Sequence, residues 1–136
     1  MTAHRVLFNG LGAFASINHL HFHMIHPASP APIEARDYDH EAASGDMLTT
    51  LQVVDWPCRT FLLELDGPAQ YPQLHKVLKV LSGRELAFNL MMKSAFDPEI
   101  HEQGGGVHVY IWPRQNQSKA GKFQMGTMEL LGYGIW

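Results

Sequence analysis

The chain has 136 residues, 46% of them apolar and 17% charged, with a formal net charge of −3. That length fits one domain, residues 1–136, able to bury a core of its own, and the composition excludes a wholly disordered chain. A pI near 6.3 excludes a broad basic footprint for nucleic acid, so any phosphate must be met in a small local site.

Cys58 is the only cysteine. A disulfide framework and a cysteine-based zinc cluster are therefore excluded, and a reducing, cytoplasmic setting is the expectation. The opening MTAHRVLFNGLG has neither a basic start nor a long apolar run, so no signal peptide is expected. No stretch approaches the roughly 20 apolar residues of a membrane span. Five of the nine histidines fall before residue 27, and that crowding calls for a cause.

Residues 5–8 read as a short strand, followed by a turn at Asn9-Gly10-Leu11-Gly12. In NHLHFHMIHP polar and apolar residues alternate, the period of a strand with one face in a core. That reading puts His19, His21 and His23 on one face and Leu20, Phe22 and Met24 on the core face, with Pro27 ending the strand. Residues 27–46, with three prolines and several acidic residues, read as an extended surface loop. Two strands are expected within 48–56 and 58–65, around Trp56-Pro57. A helix follows at about 70–82, with Tyr71, Leu74, Val77, Leu78 and Leu81 on one face and Gly83 at its C-terminal cap. Strands over 86–94 and 107–113 and a last one in MELLGYGIW complete the pattern. Strands dominate around one main helix, which defines an α+β fold with a mainly antiparallel sheet. A weak internal echo joins FNGLGAFASINHLHFHMIHP to FNLMMKSAF…GGGVHVYIWPR; each copy starts on Phe-Asn and closes on an alternating strand.

Three imidazoles on one strand face suit nucleophilic chemistry at phosphorus. A neutral imidazole is nucleophilic near pH 7 when its other ring nitrogen is held by a hydrogen bond. The middle ring, His21, has a neighbour on each side, one to orient it and one to donate a proton to a phosphate oxygen or leaving group. Phosphoryl transfer needs chiefly positioning and charge stabilisation, and the small residues at 9–16 let backbone N–H groups approach phosphates, with Ser16 adding a hydroxyl. A shared metal ion is the alternative reading of three alternating histidines. His108 and His26 read as structural or solvent-facing, Lys93 and Arg114 as solvated surface charges, and Trp56, Trp112 and Trp136 as core or interface residues.

His19-Leu20-His21-Phe22-His23-Met24-Ile25 resembles the signature of the histidine triad superfamily. With Asn9, Gly12, Ala13, Ala15 and Ser16-Ile17-Asn18 upstream, it is most similar to the GDP-hexose phosphorylase branch. PCRTFLLE, LAFNLMM, VYIWPRQ and MELLGYG carry the resemblance onward. The resemblance implies a histidine-triad-like α+β unit and a nucleotidyltransferase acting on a GDP-hexose and inorganic phosphate. His21 would form a covalent guanylyl-histidine, with His19 and His23 as its catalytic neighbours. Asn9, Gly10, Gly12, Ser16 and Asn18 would bind phosphate or order the turn, with no metal and no cofactor. Members of this branch are longer and built from two related halves. The chain therefore resembles the C-terminal catalytic half, and a homo-oligomer or a complementing N-terminal half is the expected partner. His23 stands where many transferases of the superfamily carry glutamine, which leaves a histidine-triad hydrolase open beside the phosphorylase. A non-catalytic nucleotide- or partner-binding half-domain is the third reading.

Overall fold

A computed structural model describes residues 4–15, 19–39, 49–94, 106–114 and 125–133. Its strands are β1 (Arg5–Asn9), β2 (His23–Ile25), β3 (Tyr38–Asp39), β4 (Thr49–Val53), β5 (Phe61–Leu65), β6 (Ala87–Ser94) and β7 (Val107–Arg114). Helix α1 covers Tyr71–Gly83, and a single helical turn, α2, covers Thr127–Leu130. The strands form one seven-stranded sheet in the order β2-β1-β6-β7-β5-β4-β3. Every neighbouring pair is antiparallel, so the fold is α+β with one main helix. Among the described residues no helix is long and apolar enough to cross a membrane.

Strict alternation along the central strands feeds two cores. On one face Leu74, Val77, Leu78 and Leu81 of α1 pack on Leu63, Leu65, Leu90, Val109 and Ile111, the spacing of one helical stripe. Tyr71, expected on that stripe, is 46% exposed at the first turn. The opposite face holds Leu7, Leu51, Leu62, Met91, Tyr110 and Trp112, covered by Ala31, Ile33, Leu130 and Leu131. Trp56 packs against the same cluster and donates its indole N–H to the carbonyl of Leu130 at 3.0 Å. Trp136 lies outside the described residues.

Two sequence expectations change here. The segment MELL forms the helical turn α2 and not a strand. Leu130 and Leu131 are consecutive and both buried, which a turn lying flat on the sheet permits, whereas a strand would send them to opposite faces. The expected loop 27–46 is also more ordered where it is described. Pro32–Ala35 makes a 3-10 turn that plants Ile33 in the core, and Tyr38–Asp39 adds a strand.

The turn at 32–35 is tied down by a buried ion cluster. Glu34 accepts from Arg5 Nε at 2.7 Å, from Arg5 Nη2 at 2.8 Å and from Lys93 Nζ at 2.8 Å. Arg5 and Glu34 are 4% and 3% exposed at their side chains. Lys93, expected as a solvated surface charge, is thus an ion-pair partner. Burial pushes the Glu34 carboxyl up, but the hydrogen bonds and charges of Arg5 and Lys93 outweigh it and hold the group below its ordinary 4.5. His108 sits opposite Lys93 in the β6–β7 register, with Nε2 3.7 Å from Glu64 Oε1. Burial first, then the Lys93 charge, lowers its pKa below the ordinary 6.5.

Both shifts weaken the fold in acid. A histidine with a lowered folded pKa penalises folding once the unfolded chain protonates, so stability falls as pH drops below about 6.5. Glu34 adds a second loss as pH drops from about 4.5 through its lower folded value. Denaturant unfolding followed between pH 7 and pH 3 is expected to show both losses. Glu34→Gln should remove the lower one and cost about 3 kcal/mol at pH 7, since it strands a buried arginine. A cost under about 0.5 kcal/mol, the ordinary scatter of surface changes, would refute the clamp.

Candidate active site

Strand β1 delivers the chain to the site and stops there for a steric reason. Gly10 donates its N–H to the carbonyl of Phe88 at 3.0 Å, and a Cβ at this position would stand 2.5 Å from that same oxygen. Only glycine lets β1 come so close to β6 as it turns away. Residues 11–14 then form a turn in which Ala13 N–H donates to Gly10 O at 2.9 Å. Gly12 lies at φ 75°, and Phe14 takes φ 68°, a conformation costly for an aromatic residue. Ser16 and Asn18, expected to bind phosphate, lie outside the described residues.

The histidines come next, with a difference from the expected strand. Only His23–Ile25 pairs with β1, through Leu7↔His23, Val6↔Met24 and Arg5↔Ile25. In that register Phe22 and His21 would stand opposite Phe8 and Asn9 but do not continue the ladder, and residues 19 and 20 lie beyond the end of β1, where Gly10 has turned away. Leu20, Phe22 and Met24, expected to face a core, are 75%, 50% and 70% exposed; α1 covers β5, β6 and β7 and does not reach this edge. Phe22 keeps one contact, its ring centroid lying 5.3 Å from that of Phe8.

The three imidazoles nevertheless gather. The His19 and His21 centroids lie 5.7 Å apart at 65°, and those of His21 and His23 lie 5.3 Å apart at 80°. His21 is the partly sheltered ring between two exposed ones. Its Nδ1 lies 3.0 Å from the backbone carbonyl of His19. A carbonyl can only accept, so Nδ1 carries the proton and the lone pair of the neutral ring is on Nε2. Among the described residues no three His, Cys, Asp or Glu side chains stand close enough together to hold a metal ion. His26 meets His4 at the other end of the same hairpin, their rings tilted at 47° with centroids 4.7 Å apart, and His108 is on β7, three strands across the sheet and level with Ile25.

Beside the histidines is a cavity of about 360 Å³ lined by Phe8, Asn9, Leu11, Ala15, His19 and Leu20. It shares Phe8 and Leu11 with a shallower hollow of about 580 Å³ that reaches Ser82, Leu86 and Phe88. Among the described residues neither lining includes a lysine or arginine, and backbone N–H groups and imidazoles are the donors seen there.

Behind the turn lies a polar joint that sequence reasoning missed in part. Asn9 and Asn89 face each other in the β1–β6 register, and Asn89 is fully buried. Asn9 Oδ1 accepts from Asn89 Nδ2 at 2.7 Å, from Thr127 N–H at 2.9 Å and from the Thr127 hydroxyl at 2.6 Å. Asn89 Nδ2 also donates to the carbonyl of Ala13 at 2.8 Å. Arg114, expected as a solvated charge, donates to Asn89 Oδ1 at 3.1 Å and to the carbonyl of Met125. Of this set the sequence offered only Asn9 as a site residue, and the repeated Phe-Asn was the one signal pointing to Asn89.

No family model matches the chain, and no solved structure does. Along 95% of its length, however, it is homologous to the GDP-hexose phosphorylases. It is 32% identical over 142 residues to human GDP-D-glucose phosphorylase 1 and 31% identical over 138 residues to the Bos taurus protein of that name. In both alignments it covers 95% of this chain and 36% of the relative. It is 28% identical over 92 residues to GDP-L-galactose phosphorylase 1 of Arabidopsis thaliana, covering 65% of this chain and 20% of that protein. The chain thus spans little more than a third of the length of the glucose-type relatives.

The steric demand at Gly10 is testable. Gly10→Ala must push Phe88 and its strand away, and is expected to cost about 1–3 kcal/mol, the usual range for overpacking. Thermal unfolding measures it, and an unchanged midpoint would show that β1 and β6 do not approach this closely.

Proposed function

We propose that this chain carries the nucleotidyl-transfer centre of a GDP-hexose phosphorylase. The observation that carries the proposal is the His21 Nδ1 bond to the His19 carbonyl, which in the neutral ring puts the lone pair on Nε2, flanked by two further imidazoles. His21 Nε2 attacks the phosphorus nearest the guanosine. A nitrogen–phosphorus bond forms, the phosphoanhydride bond breaks, and hexose 1-phosphate leaves. Inorganic phosphate then attacks the guanylyl-histidine, releasing GDP and restoring His21.

The neighbouring groups suit this chemistry. His19 and His23 sit within reach of oxygens on a phosphorus held at His21, as donors to the developing charge. Backbone N–H groups of the turn around Gly12, with Ser16 and Asn18, make up the phosphate cradle; Gly10, expected to join them, instead spends its N–H on the Phe88 carbonyl and shapes the turn. Asn9 serves by ordering that turn, since its side-chain oxygen is engaged by Asn89 and Thr127. The apolar walls Phe8, Leu11 and Leu20 suit one face of a nucleoside. The exposed Leu20, Phe22 and Met24 at the edge strand β2 favour association, with a second copy or with a complementing N-terminal half. Hydrolysis is the second reading, and the position of His23 beside His21 is what favours it.

Two measurements separate these readings. Incubation with GDP-glucose and phosphate should yield GDP and glucose 1-phosphate, and His21→Ala should abolish both while leaving the unfolding midpoint close to wild type. Turnover near wild type in that variant removes His21 from the mechanism. His23→Gln addresses the acceptor. An imidazole can take a proton from attacking water, help worth about 10²–10⁴-fold, whereas phosphate arrives as an anion. The variant is expected to lower GMP formation more than GDP formation, and an unchanged GMP-to-GDP ratio would end the argument for hydrolysis drawn from His23.

A further inference from the structure

We propose that Asn89 is the positioning residue of this site, pinning the Gly10–Phe14 turn to the end of the sheet so that the turn stands correctly against the triad histidines. The inference rests on the phosphate-cradle reading of that turn.

The chemistry of the joint leaves Asn89 one arrangement. Arg114 can only donate, so the Asn89 atom facing it at 3.1 Å is the amide oxygen. The amide nitrogen is thereby turned toward β1, where its two hydrogens are spent on Asn9 Oδ1 at 2.7 Å and on the carbonyl of Ala13 at 2.8 Å. The second bond is the informative one. Ala13 is in the turn itself, fully buried, two residues before Ala15 and six before His19, both of which line the histidine cavity. A side chain on β6 thus sets the height of the backbone segment that follows β1. The first bond fixes the Asn9 amide, and Asn9 lines the same cavity. Thr127 closes the joint from α2, its hydroxyl 3.0 Å from the carbonyl of Phe8. Asn89 itself is not among the described residues that line the cavity, so it acts through the turn and through Asn9.

Asn89→Asp tests this directly. The aspartate keeps the size of the side chain and its bond to Arg114, but meets Asn9 Oδ1 and the Ala13 carbonyl with an acceptor in place of a donor. Displacement of reacting groups by about 1 Å costs on the order of 10²-fold. At a temperature well below its unfolding midpoint, Asn89→Asp should lose about 10–100-fold in kcat for GDP-glucose phosphorolysis. Asn9→Ala should lose a similar amount, and the double variant no more than the worse single one, because both break one joint. Glu34→Gln, destabilised at a distance from the site, is the control and should keep its kcat at that temperature. Multiplying losses in the double variant, or wild-type kcat in Asn89→Asp, would overturn the proposal.

A readout free of turnover separates this proposal from the reading beneath it. In NMR spectra of the protein without nucleotide, Asn89→Asp should move the amide signals of residues 11–15 and the ring signals of His19 and His21, leaving α1 signals in place. Unmoved turn and ring signals refute the positioning role whatever the catalytic result. Moved signals in a protein whose wild type leaves GDP-sugars intact refute the phosphorylase reading and leave the joint standing.

Discussion

Asn9 and Asn89 meet side by side across two antiparallel strands, Asn89 fully buried and Asn9 half-buried at the edge of the cavity. A buried amide left unsatisfied costs on the order of 1–3 kcal/mol, so each of the groups around this pair is held to one orientation by the others. Arg114 fixes Asn89, Asn89 fixes Asn9 and the Ala13 carbonyl, and Thr127 accepts the remaining constraint at the start of α2. The ends of β1, β6 and β7, the turn at 10–14 and the helical turn at 127–130 are all referred to this one point. The alternative, an apolar joint of the same size, would pack those elements without specifying the register of the turn.

From that joint the histidine geometry follows. Because β1 ends at Asn9 and the chain turns away at Gly10, His19, which the register would set opposite Leu11, has no ladder partner, and its carbonyl is available to a side chain. It accepts from His21 Nδ1, an arrangement that a fully paired strand, with that carbonyl committed to its neighbour, would not offer. The proton position on the neutral His21 ring, and with it the nitrogen that carries the lone pair, is therefore a consequence of where β1 ends. The ion cluster of Arg5, Glu34 and Lys93 does the corresponding service at the other end of β1. It fastens the segment after Pro27 over the sheet, and that segment brings Ile33 into the core.

Much of the fold was legible because period and burial agree in the sheet centre. VHVYIW and LAFNLMM alternate into two cores, and β6, β7 and α1 lie within one or two residues of their expected limits. The reading failed where burial came from tertiary context. MELL reads as a strand by composition, yet its two adjacent leucines go to one core and need a helical turn. NHLHFHMI alternates as a strand should, but alternation does not reveal whether a neighbouring strand is long enough to pair with it. Alternation and resemblance singled out His19, His21 and His23, and their rings do lie side by side. Asn89 and Thr127 were hidden because a single asparagine in a strand and a threonine before a leucine pair carry no local pattern. Arg114 and Lys93 were misjudged because a charge on a strand reads as solvated until its buried partner is known.

The central claim is that His21 becomes covalently attached to the nucleotide. Intact-mass analysis of protein mixed with GDP-glucose in the absence of phosphate tests it most directly. The account predicts a mass increase of one guanylyl group that maps to the peptide holding His21, is lost in acid, and disappears on adding phosphate as GDP is released. It predicts no increase in His21→Ala. An adduct carried on another residue, or GDP formed without any adduct under conditions where chemistry outpaces release, would contradict it.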